Sequence, residues 1–335
     1  MNSLVSWQPS ASILNLFKRA QILSKIRMFF NDLGLLEVDT PSMSKATIPE
    51  IHLCPFKTDF ISPNTITEQG DSLPLPSIIP MYLITSPEYH MKRLLAAGSG
   101  PIFQICRSFR NKEFGSYHNP EFTILEWYRL DYDMYQIMNE VNDLLKMFID
   151  YSCVEIISYK EIFSQYIGID PLSIDQEKLY KYVVKFNLCD VVSPNDDLDI
   201  QLQLLFNMVI VPKMSSDKLI FVYHFPASQA LMAEINYKDN RVSDRFEVYF
   251  QGIELANGFL ELTDADKQRD RLKQENNKRT AINLKKRPID YQLLAALEYG
   301  LPTCSGVALG VDRLLMFALK VKNIREVIAF SVTCA

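Results

Sequence analysis

The stretch Ile102–Arg129, IFQICRSFRNKEFGSYHNPEFTILEWYR, decides the fold because it has the pattern of two strands joined by a polar loop. Alternation places Arg110 at the end of one face of the first strand, and it places Phe122, Glu126 and Tyr128 together on one face of the second. The loop between the strands is rich in charged residues, Gly, His, Asn and Pro, as expected of a loop that covers a ligand. The pattern predicts a hairpin with one face that carries an arginine, an aromatic ring, a carboxylate and a phenol.

The bulk properties indicate a globular protein of the cytoplasm. The chain has 335 residues and is 48% hydrophobic, which is enough for a large packed core. A net charge of −5 gives no overall attraction to nucleic acid or to an anionic membrane. The six cysteines form no CxxC pair, which is typical of reduced thiols inside the cell. No signal peptide and no apolar run of about 20 residues is present, so no membrane association is expected.

The order of patterns favours an α+β domain. Helical periodicity predicts a helix over residues 13–33 that ends at Gly34, followed by a short strand over 35–38. Four prolines after Pro55 predict irregular, exposed chain over residues 55–80. Mostly helical patterns predict an inserted helical segment at about 160–215. Strand hairpins alternate irregularly with helices, which indicates an antiparallel sheet flanked by helices and argues against a parallel, doubly wound sheet.

A second group of polar residues lies in or beside apolar strands downstream of the hairpin. Arg245, Glu247 and Tyr249 share one face of a predicted strand. Asn257, Phe259 and Glu261 share a face of the next. Charged groups are seldom placed in such strands unless they are paired or bound to a metal or ligand. A purely structural set of ion pairs is the alternative interpretation.

Two further segments combine helix starts with candidate ligand contacts. Ser86-Pro87-Glu88 predicts a helix N-terminus, where a carboxylate is favoured. The small-residue strand that contains Gly306 and Gly310 leads into a helix with Arg313 in its first turn. Glycines let the backbone approach a ligand, and a helix N-terminus favours an anion. Neither pattern is specific by itself.

Taken together, these segments resemble the three signature motifs of the class II aminoacyl-tRNA synthetases. The residues that carry the resemblance are Gly34, Val38 and Pro41 for motif one, Phe109–Lys112 with His118–Phe122 for motif two, and Gly306 with Gly310–Arg313 for motif three. The similarity is closest to the lysyl branch, through SPE at 86–88, HNPEFT at 118–123, and Glu254, Asn257-Gly258-Phe259 and Glu261. The resemblance implies one catalytic domain over residues 1–335, use of ATP and Mg²⁺, and a homodimer.

Two differences from the lysyl-tRNA synthetases point to one subgroup of the family. Motif one begins by Gly34, so no N-terminal, anticodon-binding OB domain is expected, and Ala308 stands where the synthetases have a glycine. With RSFRN, YHNPEFTILEWYR and FPASQA, these features are similar to the ligases of this family that attach (R)-β-lysine to a lysine of translation elongation factor P. The resemblance implies that the partners are elongation factor P and (R)-β-lysine or lysine, and that tRNA is not a substrate. An anticodon-domain-free paralogue that acts on tRNA, and a non-catalytic binding paralogue, are the alternatives.

The resemblance also implies roles for individual residues. Arg110 and Arg313 are the expected catalytic residues, contacting the α-phosphate and the γ-phosphate of ATP respectively. Mg²⁺ is expected on Glu247 and Glu254. Further ATP contacts are expected from Asn111, Glu113, His118, Asn119, Phe122, Glu247 and Gly310. The amino-acid pocket is expected to comprise Ser86, Glu88, Glu126, Tyr128, Asn257, Phe259, Glu261 and Ala308.

One residue departs from the pattern of motif two. Lys112 stands two residues after Arg110, where the family carries an acidic residue. Either Glu113 takes over that contact through a shift of the loop, or the backbone makes it.

Overall fold

A computed structural model describes residues 7–62, 65–66, 72–73, 77–214 and 217–335. The helices in these residues are α1 (Ile13–Asp32), α2 (Glu88–Ala96), α3 (Met134–Lys146), α4 (Tyr159–Tyr166), α5 (Gln176–Lys185), α6 (Leu198–Leu205), α7 (Ala265–Ala281), α8 (Tyr291–Gly300) and α9 (Val311–Ala318). The strands are β1 (Leu36–Glu37), β2 (Met43–Ser44), β3 (Lys57–Ser62), β4 (Thr65–Ile66), β5 (Ser72–Leu73), β6 (Ser77–Leu83), β7 (Ile102–Phe109), β8 (Glu121–Leu130), β9 (Cys153–Ser158), β10 (Lys218–Tyr223), β11 (Arg245–Phe250), β12 (Ile253–Leu260) and β13 (Cys304–Gly310). Among the described residues, no helix is both long and apolar enough to cross a bilayer.

Contacts divide the chain into two compact units. The first comprises Met1–Trp127, Thr263–Pro302 and Gly310–Ala335, and the second comprises Tyr128–Leu262 and Thr303–Leu309. Strand β8 therefore begins in the first unit and ends in the second. The single catalytic domain over residues 1–335 stays a prediction.

In the first unit, α1 covers one face of the predicted hairpin, which is confirmed as β7 and β8. The Phe30 ring of α1 lies 4.9 Å from the Phe103 ring and 5.1 Å from the Trp127 ring, measured between centroids. Strand β1 pairs in parallel with β7. Because these three aromatic side chains fill one face, the residues of opposite parity, Phe122 and Glu126 among them, point to the other.

The prediction of irregular chain over residues 55–80 is wrong for part of that segment. Strands β3 and β6 pair antiparallel from Lys57 opposite Tyr82 to Ser62 opposite Ser77, and β2 pairs with the last two residues of β6. Pro80 is tolerated because β2 does not extend to it, so that among the described residues only one side of β6 has a partner strand there. Residues 63–64, 67–71 and 74–76 lie outside the described residues.

The second unit is built on strands in the order β13-β12-β11-β10-β9. Neighbouring strands are antiparallel, except that β9 and β10 are parallel. Helix α3 contacts β11 and β12. Helices with a largely antiparallel sheet confirm the predicted α+β class.

The segment predicted as a helical insertion contains most of α4, together with α5, α6 and a π-helical turn over Phe206–Ile210. The Tyr159 ring lies 5.3 Å from Phe206 and 4.9 Å from Phe225, and Phe206 lies 5.8 Å from Tyr249 of β11. All four rings are buried. The insertion therefore shares its core with the sheet of the second unit.

Candidate active site

In the first unit, the loop between β7 and β8 meets the start of α9. Nη2 of Arg313 lies 2.7 Å from Nε2 of His118, and Nε of Arg313 donates to the Tyr117 carbonyl over 3.4 Å. Gly310 is the residue just before α9, and a Cβ added to it would make only ordinary contacts with the Arg313 side chain. The structure thus brings together His118, Gly310 and Arg313, three of the residues predicted to bind ATP.

The guanidinium of Arg110 lies over the ring of Phe122, and one of its N–H groups donates no hydrogen bond within the described residues. Its guanidinium carbon is 5.0 Å from the centroid of the Phe122 ring, and Nη1 is 3.9 Å from Oε1 of Glu113. Its Nε is buried and has no hydrogen-bond partner among the described residues. A buried donor without a partner is costly, so an anionic ligand would stabilise this arrangement.

Two predicted ATP-binding amides take part in the structure of the loop. Oδ1 of Asn111 accepts the backbone N–H of Lys112 at 2.9 Å, where Lys112 has φ of 70°. The side chain of Asn119 donates to the Glu121 carbonyl and accepts the backbone N–H of Val332. These contacts fix the loop, and the predicted contacts with ATP stay predictions.

A buried carboxylate that the sequence did not single out anchors the helix that carries Arg313. Oδ1 of Asp312 lies 2.6 Å from Nη1 of Arg19 in α1, and Oδ2 accepts the backbone N–H of Thr123 at 2.7 Å. Arg19 also donates to the Thr123 hydroxyl and to the Val327 carbonyl. Asp312 therefore ties α9 to both α1 and β8.

The carboxylates predicted for the amino-acid pocket in the first unit already have partners. The Ser86 hydroxyl donates to Oε2 of Glu126 at 2.7 Å and accepts the backbone N–H of Glu88. Nζ of Lys92 lies 2.7 Å from Oε1 of Glu88, and its side chain is 1% exposed. Glu88 thus forms an ion pair with a buried cation, and Glu126 accepts a hydrogen bond from Ser86.

In the second unit, Glu247 is held at both carboxylate oxygens. Nη2 of Arg245 donates to Oε1 at 2.5 Å, and the Tyr249 hydroxyl donates to Oε2. Burial and the nearby Glu254 carboxylate together raise the pKa of Glu247 to about 7, against the opposing effect of Arg245. Two neighbouring carboxylates of which one is buried would gain from a bound cation.

A β-bulge brings Glu254 to the same side as Glu247. Val248 pairs with Ala256, but Tyr249 pairs with Glu254, so the register shifts by one residue between these pairs. Without the shift, alternation would turn Glu254 away from Asn257, which is the partner of Glu247. The predicted metal ligands share a face only because of this bulge.

Ala308 continues the row of Glu247 and Asn257, since it pairs with Asn257 in the next strand. The neighbouring row contains Arg245, Phe259 and Gly306. These two rows place the predicted substrate residues of β12 and β13 on one face of the second unit.

Gly306 has no room for a side chain. An added Cβ would collide with Oε1 of Glu261 and with the ring of Tyr128, both predicted substrate contacts and both 2% exposed. The absence of a side chain at Gly306 therefore lets a carboxylate and a phenol lie against the strand.

The sequence did not predict that three residues hold proposed site residues or their helix in place: Lys92, Asp312 and Tyr249. For Tyr249 a signal existed, since alternation places it on the face of Glu247. Lys92 follows Glu88 by four residues, the spacing of an ion pair on a helix, but its burial could not be read from that spacing. The described residues contain no cluster of three or more His, Cys, Asp or Glu side chains suited to a metal.

Comparison with known proteins identifies the family of the chain. The profile of the class II tRNA synthetases (D, K and N) matches residues 3–333. Among curated proteins, the chain is 59% identical to the elongation factor P–(R)-β-lysine ligase of Sodalis glossinidius over 99% of each chain. It is 58% identical to the protein of that name from Baumannia cicadellinicola over 100% of each chain, and 57% identical to that of Pectobacterium atrosepticum over 99% of each.

Proposed function

Because the chain belongs to the class II tRNA synthetase family of the D, K and N type, we propose that it is an AMP-forming ligase that activates (R)-β-lysine, or lysine, with ATP. The activated amino acid is then transferred to the ε-amine of a lysine of translation elongation factor P. The observation that carries this proposal is the identity of 57–59%, over almost the full length, to ligases of that name.

In the first step, a carboxylate oxygen of the amino acid attacks the α-phosphorus of ATP, and pyrophosphate leaves. This chemistry needs positioning and charge neutralisation more than covalent help from the protein. Arg110, with its spare buried donor, would hold the α-phosphate and the attacking carboxylate. Arg313 would contact the γ-phosphate from the first turn of α9, where the helix dipole also favours an anion. Phe122 would stack on adenine.

Glu113 would supply the acidic contact that Lys112 lacks. Its carboxylate lies 3.9 Å from Arg110, so it already faces the proposed phosphate-binding side chain. Asn111, His118, Asn119 and Gly310 complete the proposed ATP-binding set. Its loop members are ordered by contacts within the first unit.

Glu247 and Glu254 would hold Mg²⁺. The bound ion would neutralise negative charge on the phosphate oxygens of ATP. The raised pKa of Glu247 fits this role because burial and a neighbouring carboxylate both oppose its negative charge when no cation is present.

The amino-acid substrate carries two ammonium groups, which need negative partners. We assign these partners to Glu126 and Glu261, which are both 2% exposed. Glu88 contributes as a neutral pair with Lys92. The remaining proposed substrate contacts are Ser86, Tyr128, Asn257, Phe259 and Ala308.

In the second step, the unprotonated ε-amine of the acceptor lysine attacks the carbonyl carbon of the adenylate. A new amide bond forms, the bond to the phosphate oxygen breaks, and AMP leaves. Elongation factor P, and not tRNA, is the proposed acceptor.

We further propose that the protein forms a homodimer and that it is located in the cytoplasm. Helix α1 exposes four large apolar side chains, which a second copy would cover: Ile13, Leu14, Phe17 and Met28. The six cysteines are free, as is typical of a reducing compartment. Sedimentation velocity tests the dimer directly, and a single species at the mass of one chain at micromolar concentration would contradict it.

The decisive experiment for the activity supplies ATP, Mg²⁺ and labelled β-lysine, with elongation factor P or tRNA as the acceptor. We expect label on the factor alone. Label on tRNA and not on the factor would replace the proposed acceptor. An absence of β-lysine-dependent and lysine-dependent pyrophosphate exchange would favour a non-catalytic binding protein.

A further inference from the structure

Glu247 is connected to the helical insertion through its arginine partner. Nη2 of Arg245 contacts the carboxylate, and Nη1 of Arg245 donates to the backbone carbonyl of Gln229 at 3.0 Å. The guanidinium also lies 4.7 Å over the ring of Phe225, which packs against the rings of the insertion. The orientation of Arg245 therefore depends on the turn that contains Gln229.

The turn that contains Gln229 is hydrogen-bonded to the first turn of α6. Oδ1 of Asp199 accepts the side-chain amide of Gln229 at 3.0 Å and the hydroxyl of Ser228 at 2.7 Å. Asp199 is half-buried and belongs to the insertion. A continuous path of polar contacts thus runs from Asp199 through Gln229 and Arg245 to one oxygen of Glu247.

A second path reaches the other oxygen of Glu247. The hydroxyl of Tyr249 donates to Oε2, and its ring meets the ring of Phe206 edge-on, at 5.8 Å and 70°. Phe206 begins the π-helical turn of the insertion and stacks on Tyr159. Turns of this kind are frequent at functional sites.

We propose that the helical insertion at about 160–215 sets the side-chain orientation of Glu247, with Asp199 and Tyr249 as positioning residues. Strand pairing fixes the backbone of Glu247, but the three side-chain torsions of a glutamate remain free unless other groups hold them. Partners behind a metal ligand supply that restraint in metal sites generally. The inference rests on the proposed function, since it assigns Glu247 to Mg²⁺.

The test compares metal binding in matched variants. Tyr249→Phe removes one hydroxyl and keeps the ring, and Asp199→Ala removes the acceptor of the other path. Asp199→Asn keeps an oxygen that accepts the hydroxyl of Ser228, so it should lose less Mn²⁺ affinity than Asp199→Ala. Asp190→Asn is the control, an exposed aspartate of the same insertion.

The direct readout is Mn²⁺ affinity in the presence of a non-hydrolysable ATP analogue, from the free Mn²⁺ signal in electron paramagnetic resonance. We expect affinity to fall about 10-fold in Tyr249→Phe and in Asp199→Ala, the usual scale for partners of a metal ligand. The control should match the wild type. In pyrophosphate exchange, the KM for β-lysine should stay unchanged, which a general loss of structure would not produce.

Wild-type Mn²⁺ affinity in both Tyr249→Phe and Asp199→Ala would overturn the inference, even if the enzyme is active. Should Asp199→Ala fail to fold, as judged by urea denaturation, Tyr249→Phe decides alone. A wild-type enzyme without pyrophosphate exchange dependent on either β-lysine or lysine would refute the proposed function, and the Mn²⁺ comparison would still decide the role of the insertion.

Discussion

Nη1 of Arg19 lies 2.6 Å from Oδ1 of Asp312, so the first helix of the chain is bonded to the residue that precedes Arg313. Asp312 is 2% exposed, and Arg19 is 11% exposed. The two charges of an ion pair this well shielded from water interact strongly. Removal of either partner leaves an uncompensated buried charge, which destabilises the folded state.

Removal of Arg19 should therefore destabilise the protein. We expect Arg19→Met to lower the free energy of unfolding by about 3–5 kcal/mol, because the charge of Asp312 would remain buried without its partner. Urea denaturation measures the change. The double variant Arg19→Met/Asp312→Asn should recover part of the loss, and strictly additive losses would contradict direct coupling.

Gly306→Ala should impair use of the amino acid. The new methyl group would displace Glu261 or Tyr128, so we expect kcat/KM for β-lysine to fall on the order of 100-fold, as misplacement of a substrate contact can cause. The KM for ATP should change little. Steady-state pyrophosphate exchange separates the two substrates.

Gly115→Ala is the matched control for that change. A Cβ at Gly115 meets no atom within 4 Å, and the residue does not have a positive φ. Equal losses in both variants would show that the effect is not specific to Gly306.

Ala308→Gly should broaden amino-acid use. The methyl of Ala308 belongs to the row of Asn257 and Glu247, and a single methyl in a pocket is worth about 1–3 kcal/mol of discrimination. We expect a higher ratio of α-lysine to β-lysine activation with retained activity. An unchanged ratio would remove Ala308 from the specificity determinants.

The cysteines should differ sharply in their reactivity toward iodoacetamide at pH 8. Burial raises the pKa of Cys106 to about 12, so its thiol stays protonated and unreactive at that pH. Cys334 is exposed, and its hydrogen bond with Ser10 lowers the pKa of the thiol, which increases the reactive thiolate fraction. Peptide mass spectrometry over time should find Cys334 modified well before Cys106. Comparable rates at both positions would contradict the described environments.

Much of the first unit was predictable because alternation along regular strands is reliable. It placed Phe122 and Glu126 on one face and left Trp127 to pack against α1 on the other. The proline content gave a wrong prediction for part of residues 55–80. In the part of the chain that the structure describes, Pro80 lies where β6 has a partner strand on one side only, so it does not interrupt the pairing. The proposed site residues agree with the family motifs, but their roles await the experiments above.

The remaining features depend on information that a local pattern does not contain. The side chain of Lys92 is 1% exposed, although lysine is among the residues most often found at the surface. The contact of Arg19 with Asp312 joins positions 293 residues apart. No periodicity within either helix predicts such a pair.

Because of the bulge, the number of residues in β12 decides on which face of the sheet Glu254 lies. Leu255 lies at the register shift and is 2% exposed, yet its side chain takes no part in the proposed chemistry. Deletion of one residue between Glu254 and Asn257 would keep every proposed ligand in the sequence and turn Glu254 to the opposite face. Comparisons of this family by residue identity alone would score such a protein as intact, although its pair of carboxylates would be separated by the sheet.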